Sequence, residues 1–379
     1  MNKKNTPLVS VTIPAYNQAH FLAETLDSVI NQTYRNIEVI VLDDGSKDAT
    51  PEVVKEYAKK DSRIHYFRQE NKGVSTARNS AIGYSKGEYI CMLESDDVME
   101  KDKVELQLNE FLKDPKVDVV YTAVSFINAE GKFIGEMRSQ EVLPENFLAF
   151  LFFRNPIATP SCMMAKRQCF IDNPYNVNFR QVDDYELTVR LAHKYRFKYL
   201  DKPLTRYRRH AQNISNDLTI HRNAEMRILR AYPHEHIEKA VDASLLSETE
   251  KTLLKGKIFY NLELFETSIP FFEKEGSAIA CFYLGNIYQL LKNNKNAIEW
   301  YTKSLSKDPN NAACVNNLGV MYAYAKEEEK ARAHFKKALE LRPGYIDAAD
   351  NLKNLESGSK LPFKTTFREL RNQLVPYQF

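Results

Sequence analysis

The chain has 379 residues, 43% of them apolar and 27% charged, a mix that buries a globular core across about two to three domains. Its 53 basic and 50 acidic side chains leave a formal net charge of +3. That balance gives no argument for nucleic acid or an anionic membrane as partner. Five cysteines without paired spacing (Cys91, Cys162, Cys169, Cys281, Cys314) suit free thiols in a reducing, cytoplasmic compartment.

Residues 1–8 carry no signal-peptide pattern, and no stretch approaches the ~18 apolar residues of a membrane span. The first 130 residues alternate two periods. Val9–Tyr16 is an apolar, β-branched run, and Ala19–Gln32 carries Leu22, Leu26, Val29 and Ile30 at helical spacing. Ile37–Leu42 is strand-like, Ala49–Lys60 helical, Ile64–Phe67 strand-like and Val74–Ser85 helical. Tyr89–Leu93 is a strand that runs into acids, Lys101–Leu112 is helical, and Val117–Phe126 is a strand. Strands alternating with helices predict a mostly parallel sheet covered on both faces, with its site beyond the carboxyl ends of the strands. The pattern is less regular from 131 to 233. Asn128–Gly131 reads as a hairpin turn, Phe147–Phe153 as a short apolar helix, Val182–Tyr195 as a helix opened by acids, and Leu200–His210 as extended.

Further on, a register repeats. Leu284-Gly285-x-x-Tyr288 returns as Leu318-Gly319-x-x-Tyr322, Ala297-x3-Tyr301 as Ala331-x3-Phe335, and Pro309 as Pro343, all at an offset of 34. A shorter copy, Gly256, Phe259, Ser268 and Phe272, precedes it at offset 29. This predicts tetratricopeptide-like helix pairs. The expected organisation is a catalytic domain at 1–233, a junction at 234–246, helical repeats at 247–357 and a tail at 358–379.

Three clusters carry candidate chemistry. Asp43-Asp44-Gly45-Ser46 ends a buried strand, where a carboxylate either binds a nucleoside or caps the turn. In Asn71-Lys72-Gly73 with Arg78, a helix N-terminus and a guanidinium either hold a diphosphate or form an ordinary turn. Glu94-Ser95-Asp96-Asp97 gathers hard oxygens, suited to Mg²⁺ or Mn²⁺ or to a helix N-terminus.

In this order these clusters, with Val11-Thr-Ile-Pro14-Ala15-Tyr16-Asn17, Ala77-Arg78-Asn79 and Gly87-Glu88-Tyr89-Ile90, resemble the family 2 inverting glycosyltransferases of GT-A fold over about residues 7–215. The resemblance implies an α/β GT-A domain and a UDP-sugar donor. It places Pro14, Ala15, Tyr16, Asn17 and Asp44 at the uridine, and Arg78 at the nucleotide. Asp96 and Asp97 become the DXD-type contacts to diphosphate and to Mn²⁺ or Mg²⁺, although Glu94 stands at the first acidic position of that motif. In Val182-Asp183-Asp184-Tyr185-Glu186-Leu187 it implies Asp184 as general base; unaided, the pair also reads as a helix cap. Tyr207-Arg208-Arg209-His210-x-x-Asn213-x-Ser215 resembles the closing segment of the family, with His210 as a metal contact and Arg208 as a diphosphate contact. Asn173–Phe179 replaces the usual Gly-Gly-Phe step before the acidic pair. A transferase fused to helical repeats is similar to bacterial transferases that glycosylate peptides or proteins, including S-glycosyltransferases of glycopeptide bacteriocins. That implies a protein or peptide acceptor; the alternatives are a cell-surface glycan or lipid-linked sugar as acceptor, or a non-catalytic nucleotide-sugar-binding scaffold. The array also reads as a homodimer contact, and the expected place is the cytoplasm, with the inner face of the membrane within reach.

Overall fold

The computed structural model describes residues 6–139, 141–179, 181–213, 216, 218–358 and 362–368. Ser215 and most of the expected tail lie outside them. The chain divides between His236 and Ile237 into two compact units.

The first unit opens with β1 (Val9–Ala15), α1 (Ala19–Ile30), β2 (Ile37–Asp43), α2 (Thr50–Lys60), β3 (Ile64–Arg68), α3 (Val74–Tyr84) and β4 (Tyr89–Met92). β1 and β2 are buried at every position, as the continuous apolar runs require of strands covered on both faces. β3, β2, β1 and β4 lie side by side and parallel. The core beneath them joins Val9, Val11 and Ile13 to Leu22, Leu26 and Val29 of α1. Glu38 is buried within this sheet and satisfied: it accepts from the Ser10 hydroxyl at 2.5 Å and from the backbone of Lys86 and Gly87. A side chain at Gly87 would meet the Ser10 nitrogen at 2.6 Å, so only glycine passes there.

The rest of the sheet is mixed. β5 (Val98–Met99), α4 (Lys103–Lys113), β6 (Val119–Ile127), β7 (Phe133–Met137), α5 (Phe147–Phe153), β8 (Met163–Lys166), α6 (Arg167–Asp172), α7 (Asp183–Ala192), β9 (Phe197–Arg208) and α8 (Leu218–Arg230) follow. β8 runs antiparallel between β4 and β6, and β9 lies parallel to β6 along Val119–Ile127. The turn at Asn128–Gly131 joins β6 to β7 as an antiparallel hairpin. β9 carries its last residues, Tyr207 and Arg208, to the far end of β6, where Arg208 meets the loop that follows β4.

The helix α9 (His234–Asp242) spans the division. The second unit then stacks α10 (Glu248–Asn261) on α11 (Phe265–Glu275), α12 (Ala278–Leu290) on α13 (Asn294–Lys307), and α14 (Ala312–Tyr324) on α15 (Glu328–Leu341), before α16 (Ile346–Glu356). The repeat has a steric cause. Gly256, Gly285 and Gly319 each face the ring of Phe272, Tyr301 or Phe335, and a Cβ would approach those rings to 2.8, 2.4 and 2.8 Å. Small residues let the paired helices touch, and the aromatic fills the space.

Candidate active site

The motif residues gather at the carboxyl ends of β1, β2, β4 and β9. At the end of β1, Pro14 and Ala15 are buried, while Tyr16 beyond it turns outward at 43% exposure. Asn17 has φ 54°, a left-handed conformation that asparagine tolerates. Its backbone nitrogen donates to Ser46 Oγ at 2.9 Å, and its side chain accepts from Lys47 N at 2.8 Å, which ties the end of β1 to the end of β2.

Both carboxylates of the Asp43-Asp44 pair are buried. Asp43 accepts from Ser46 N and Tyr66 Oη, each at 2.7 Å, and so shapes the turn. Asp44 accepts from Gln69 Nε2 at 2.7 Å, Lys72 N at 3.0 Å and Gly73 N at 2.8 Å. It pins the Asn71–Gly73 loop, and with it the start of α3, beside β2. Gly45 permits the approach: its φ is 80°, and a Cβ would meet Asn71 N at 2.9 Å.

Arg78 is buried within the protein. Nη1 donates to both oxygens of Asp183 at 2.7 Å, and Nη2 to Glu94 Oε1 at 2.8 Å. Its guanidinium lies 5.2 Å from the centre of the Tyr175 ring. Asn79 completes the junction, donating to Tyr175 O at 2.9 Å and accepting from Tyr175 N at 2.8 Å. Arg78-Asn79 therefore holds together α3, the acidic loop after β4, the Asn173–Phe179 segment and the start of α7. Arg78, the expected nucleotide contact, thus also braces the site from within the protein. Burial pushes the Glu94 carboxyl up, and Arg78 pulls it back.

The two acids at the start of α7 separate. Asp183 is buried and shared by Arg78 and by Ser75 Oγ at 2.8 Å. Asp184 is partly exposed, accepts from the Tyr185 backbone nitrogen at 2.8 Å, and lies within electrostatic range of Arg78.

The acidic loop divides in the same way. Asp97 is fully buried, accepting from Ser161 Oγ at 2.6 Å and Arg208 N at 3.0 Å. Burial, with Asp96 beside it, pushes its carboxyl well above the usual carboxylate range. Asp96 is only partly buried, and its Oδ2 lies 2.9 Å from His210 Nε2. Arg208 sits behind that pair. Its Nε donates to Asp96 O at 2.9 Å, Nη1 to Ala129 O at 3.0 Å, and Nη2 to Glu24. Phe21 covers the Arg208 guanidinium at 4.9 Å and the His210 ring at 4.8 Å. Asp97 and Arg208, expected as ligand contacts, both hold the acidic loop to the end of β9.

Glu24, Thr25, Ser161 and Tyr175 were not singled out from sequence. Thr25 Oγ1 donates to the carbonyls of Ser95 at 3.0 Å and Asp97 at 2.9 Å, fixing the loop from α1. Thr25 carries no signal in sequence, since it occupies a helical position where any small polar residue is ordinary. Thr159-Pro160-Ser161 at least shows the pattern of a capped turn, and Thr159 does cap it, accepting from Ser161 N at 3.3 Å.

Among the described residues, no group of three or more His, Cys, Asp or Glu is gathered to hold a metal ion. The site offers the pair Asp96 and His210. One carboxylate beside an imidazole suits a Mg²⁺ or Mn²⁺ ion whose remaining ligands are phosphate oxygens and water. No helix among the described residues is long and apolar enough to cross a membrane.

Residues 10–173 match the family described as Glycosyl transferase family 2, and residues 274–344 the Tetratricopeptide repeat. An uncharacterized glycosyltransferase of Rickettsia felis is 36% identical over 200 residues, which cover 53% of this chain and 33% of that protein. The chondroitin synthase of Pasteurella multocida is 28% identical over 312 residues, 78% of this chain and 31% of that protein. The chain thus spans about a third of the length of these relatives. Among solved structures, residues 1–349 of S. aureus TarS in complex with UDP-GlcNAc superpose with a TM-score of 0.51 at 16% identity, covering 93% of this chain and 92% of that one. That likeness shows a common fold.

Proposed function

From a chain that carries a glycosyl transferase family 2 domain at 10–173 and tetratricopeptide repeats at 274–344, we infer an inverting glycosyltransferase that takes a sugar from a UDP-sugar. One observation carries this reading: Asp44, the Asp96–His210 pair and the partly exposed Asp184 lie at one end of the sheet, linked through Arg78, Asp183 and Glu94. Tyr16, exposed beside the buried Asp44, offers a ring on which a uracil can stack, and Pro14 to Asn17 shape the wall around it. Asp96 and His210 would hold Mn²⁺ or Mg²⁺, which when bound neutralises charge on the diphosphate.

We assign the proton acceptor to Asp184, the partly exposed acid at the start of α7, beside the buried Asp183 that is shared by Arg78 and Ser75. The acceptor oxygen attacks the anomeric carbon as its proton passes to the Asp184 carboxylate. The bond from that carbon to the diphosphate oxygen breaks, and UDP leaves with the electron pair. Attack from the face opposite the leaving group inverts the anomeric centre, with no covalent enzyme intermediate.

The acceptor we propose is a protein or peptide, a reading supported by the helical array, whose architecture presents extended surfaces to polypeptides. A glycan acceptor is the second reading, favoured by the chondroitin synthase among the relatives. UDP release from a panel of UDP-sugars with Mn²⁺, with and without peptide or oligosaccharide acceptors, tests both. Acceptor-stimulated release with one donor is the expected outcome. No release with any donor contradicts the transferase reading, and stimulation by oligosaccharides alone overturns the peptide acceptor.

A further inference from the structure

The array of helical repeats already holds a segment of its own chain. Residues 362–368 form neither helix nor paired strand and lie against α12, α14 and α16, the first helices of successive repeats and the closing helix. The contacts are made to backbone and repeat in register. Asn317 donates to Thr366 O at 2.8 Å and accepts from Thr366 N at 3.0 Å. Asn351, 34 residues further along, donates to Lys364 O at 2.7 Å and accepts from Lys364 N at 2.6 Å. One amide at the same place in α14 and in α16 thus grips the donor and acceptor of one residue, and the gripped residues are two apart, the spacing at which alternate residues of an extended chain face one side. Asn316 adds a second donor to Lys364 O at 3.1 Å, and Tyr260 Oη donates to Phe367 O at 3.0 Å.

Side chains are read more lightly. Lys364 pairs with Asp350 at 2.5 Å, Thr366 Oγ1 donates to Asp347 at 2.8 Å, and Thr365 Oγ1 accepts from Gln289 at 2.7 Å. The Phe363 ring lies 6.0 Å from that of Phe335 and 5.8 Å from that of Tyr324. The amides are also bound to one another, Asn351 donating to Asn316 Oδ1 at 2.9 Å and Asn317 to Asn286 Oδ1 at 2.9 Å, contacts that orient them independently of residues 362–368.

We propose that residues 362–368 are an internal ligand of this face, gripped through their main chain, which a partner polypeptide must displace in order to bind there. A partner segment alternating aromatic side chains with lysine or threonine competes with that internal segment for the same amides. The inference does not depend on the sugar-transfer reading, because every residue it uses lies within the second unit.

The test uses the full chain and a fluorescent peptide with the sequence of residues 362–368. In the release variant Phe363→Ala/Thr366→Pro, the proline removes the N–H that Asn317 accepts. A tethered segment competes at an effective concentration near millimolar, so release should tighten peptide binding about tenfold or more. Asp350→Lys, at a half-exposed position, should weaken it again in the released chain. Equal affinity of wild-type and released chains overturns the proposal, as does a released chain that keeps its helical circular dichroism but binds no peptide. Hydrogen exchange on the wild-type chain gives an independent check: the Lys364 and Thr366 amides should be protected, and excess peptide should speed their exchange. Unprotected amides would end the proposal whatever the variants do.

Discussion

Neighbouring acids in this site have opposite fates, and burial decides between them. Asp96 and Asp184 are partly open, whereas Asp97 and Asp183 are closed in and used to hold the structure. The closed acids differ in turn: Asp183 faces a guanidinium, while Asp97 is held by two neutral hydroxyls, of Ser161 and Thr159, and by a backbone N–H. That contrast has a consequence in pH. An acid whose pKa is raised by folding holds its proton more tightly when folded. Its favourable share of stability is complete below the unfolded pKa of about 4 and is lost as pH rises through the folded value. Asp97→Asn should therefore gain stability relative to wild type as pH is raised from about 4 towards 7. Melting temperatures of both proteins across that range check it; parallel curves would show that Asp97 is not held protonated by its surroundings. The identity of these residues was legible as acidic pairs after strands or before a helix. Which member of each pair faces outward was not, because that depends on Ser161, Arg78 and Arg208, up to 111 residues away.

Among the elements, α3 and α7 are joined through a single charged side chain. Arg78 is buried and holds two carboxylates, Asp183 and Glu94, and burying a charge is tolerable only when it is paired. Removing it strands both partners. Arg78→Ala should cost about 3–5 kcal/mol in denaturant unfolding, and adding Asp183→Asn should recover part of the loss. Additive effects of the two changes would contradict the coupling. The elements themselves were legible where a period could run: α1 to α4 and β1 to β4 fall within a few residues of the expected spans. β5 and β8, of two and four residues, are too short to show alternation. The antiparallel insertion of β8 between β4 and β6 is a pairing over more than 40 residues, which local pattern does not record. The helical pairs were plain because one glycine-under-aromatic contact repeats in fixed register.

At the scale of the molecule, two units each carry their own core, one built on the sheet and one on stacked helix pairs. The repeats were recognisable as architecture, but the segment held along them was not, since 362–368 has no periodic pattern to set it apart from the expected tail. In the first unit the proposed sugar transfer turns on Asp184 as the proton acceptor. Its most direct test is Asp184→Ala, with turnover of the UDP-sugar and binding of UDP measured on the same preparation. Turnover should fall about 10²–10⁴-fold while UDP affinity stays within a factor of about two, because the base acts on the acceptor and not on the nucleotide. A variant as active as wild type would contradict the assignment.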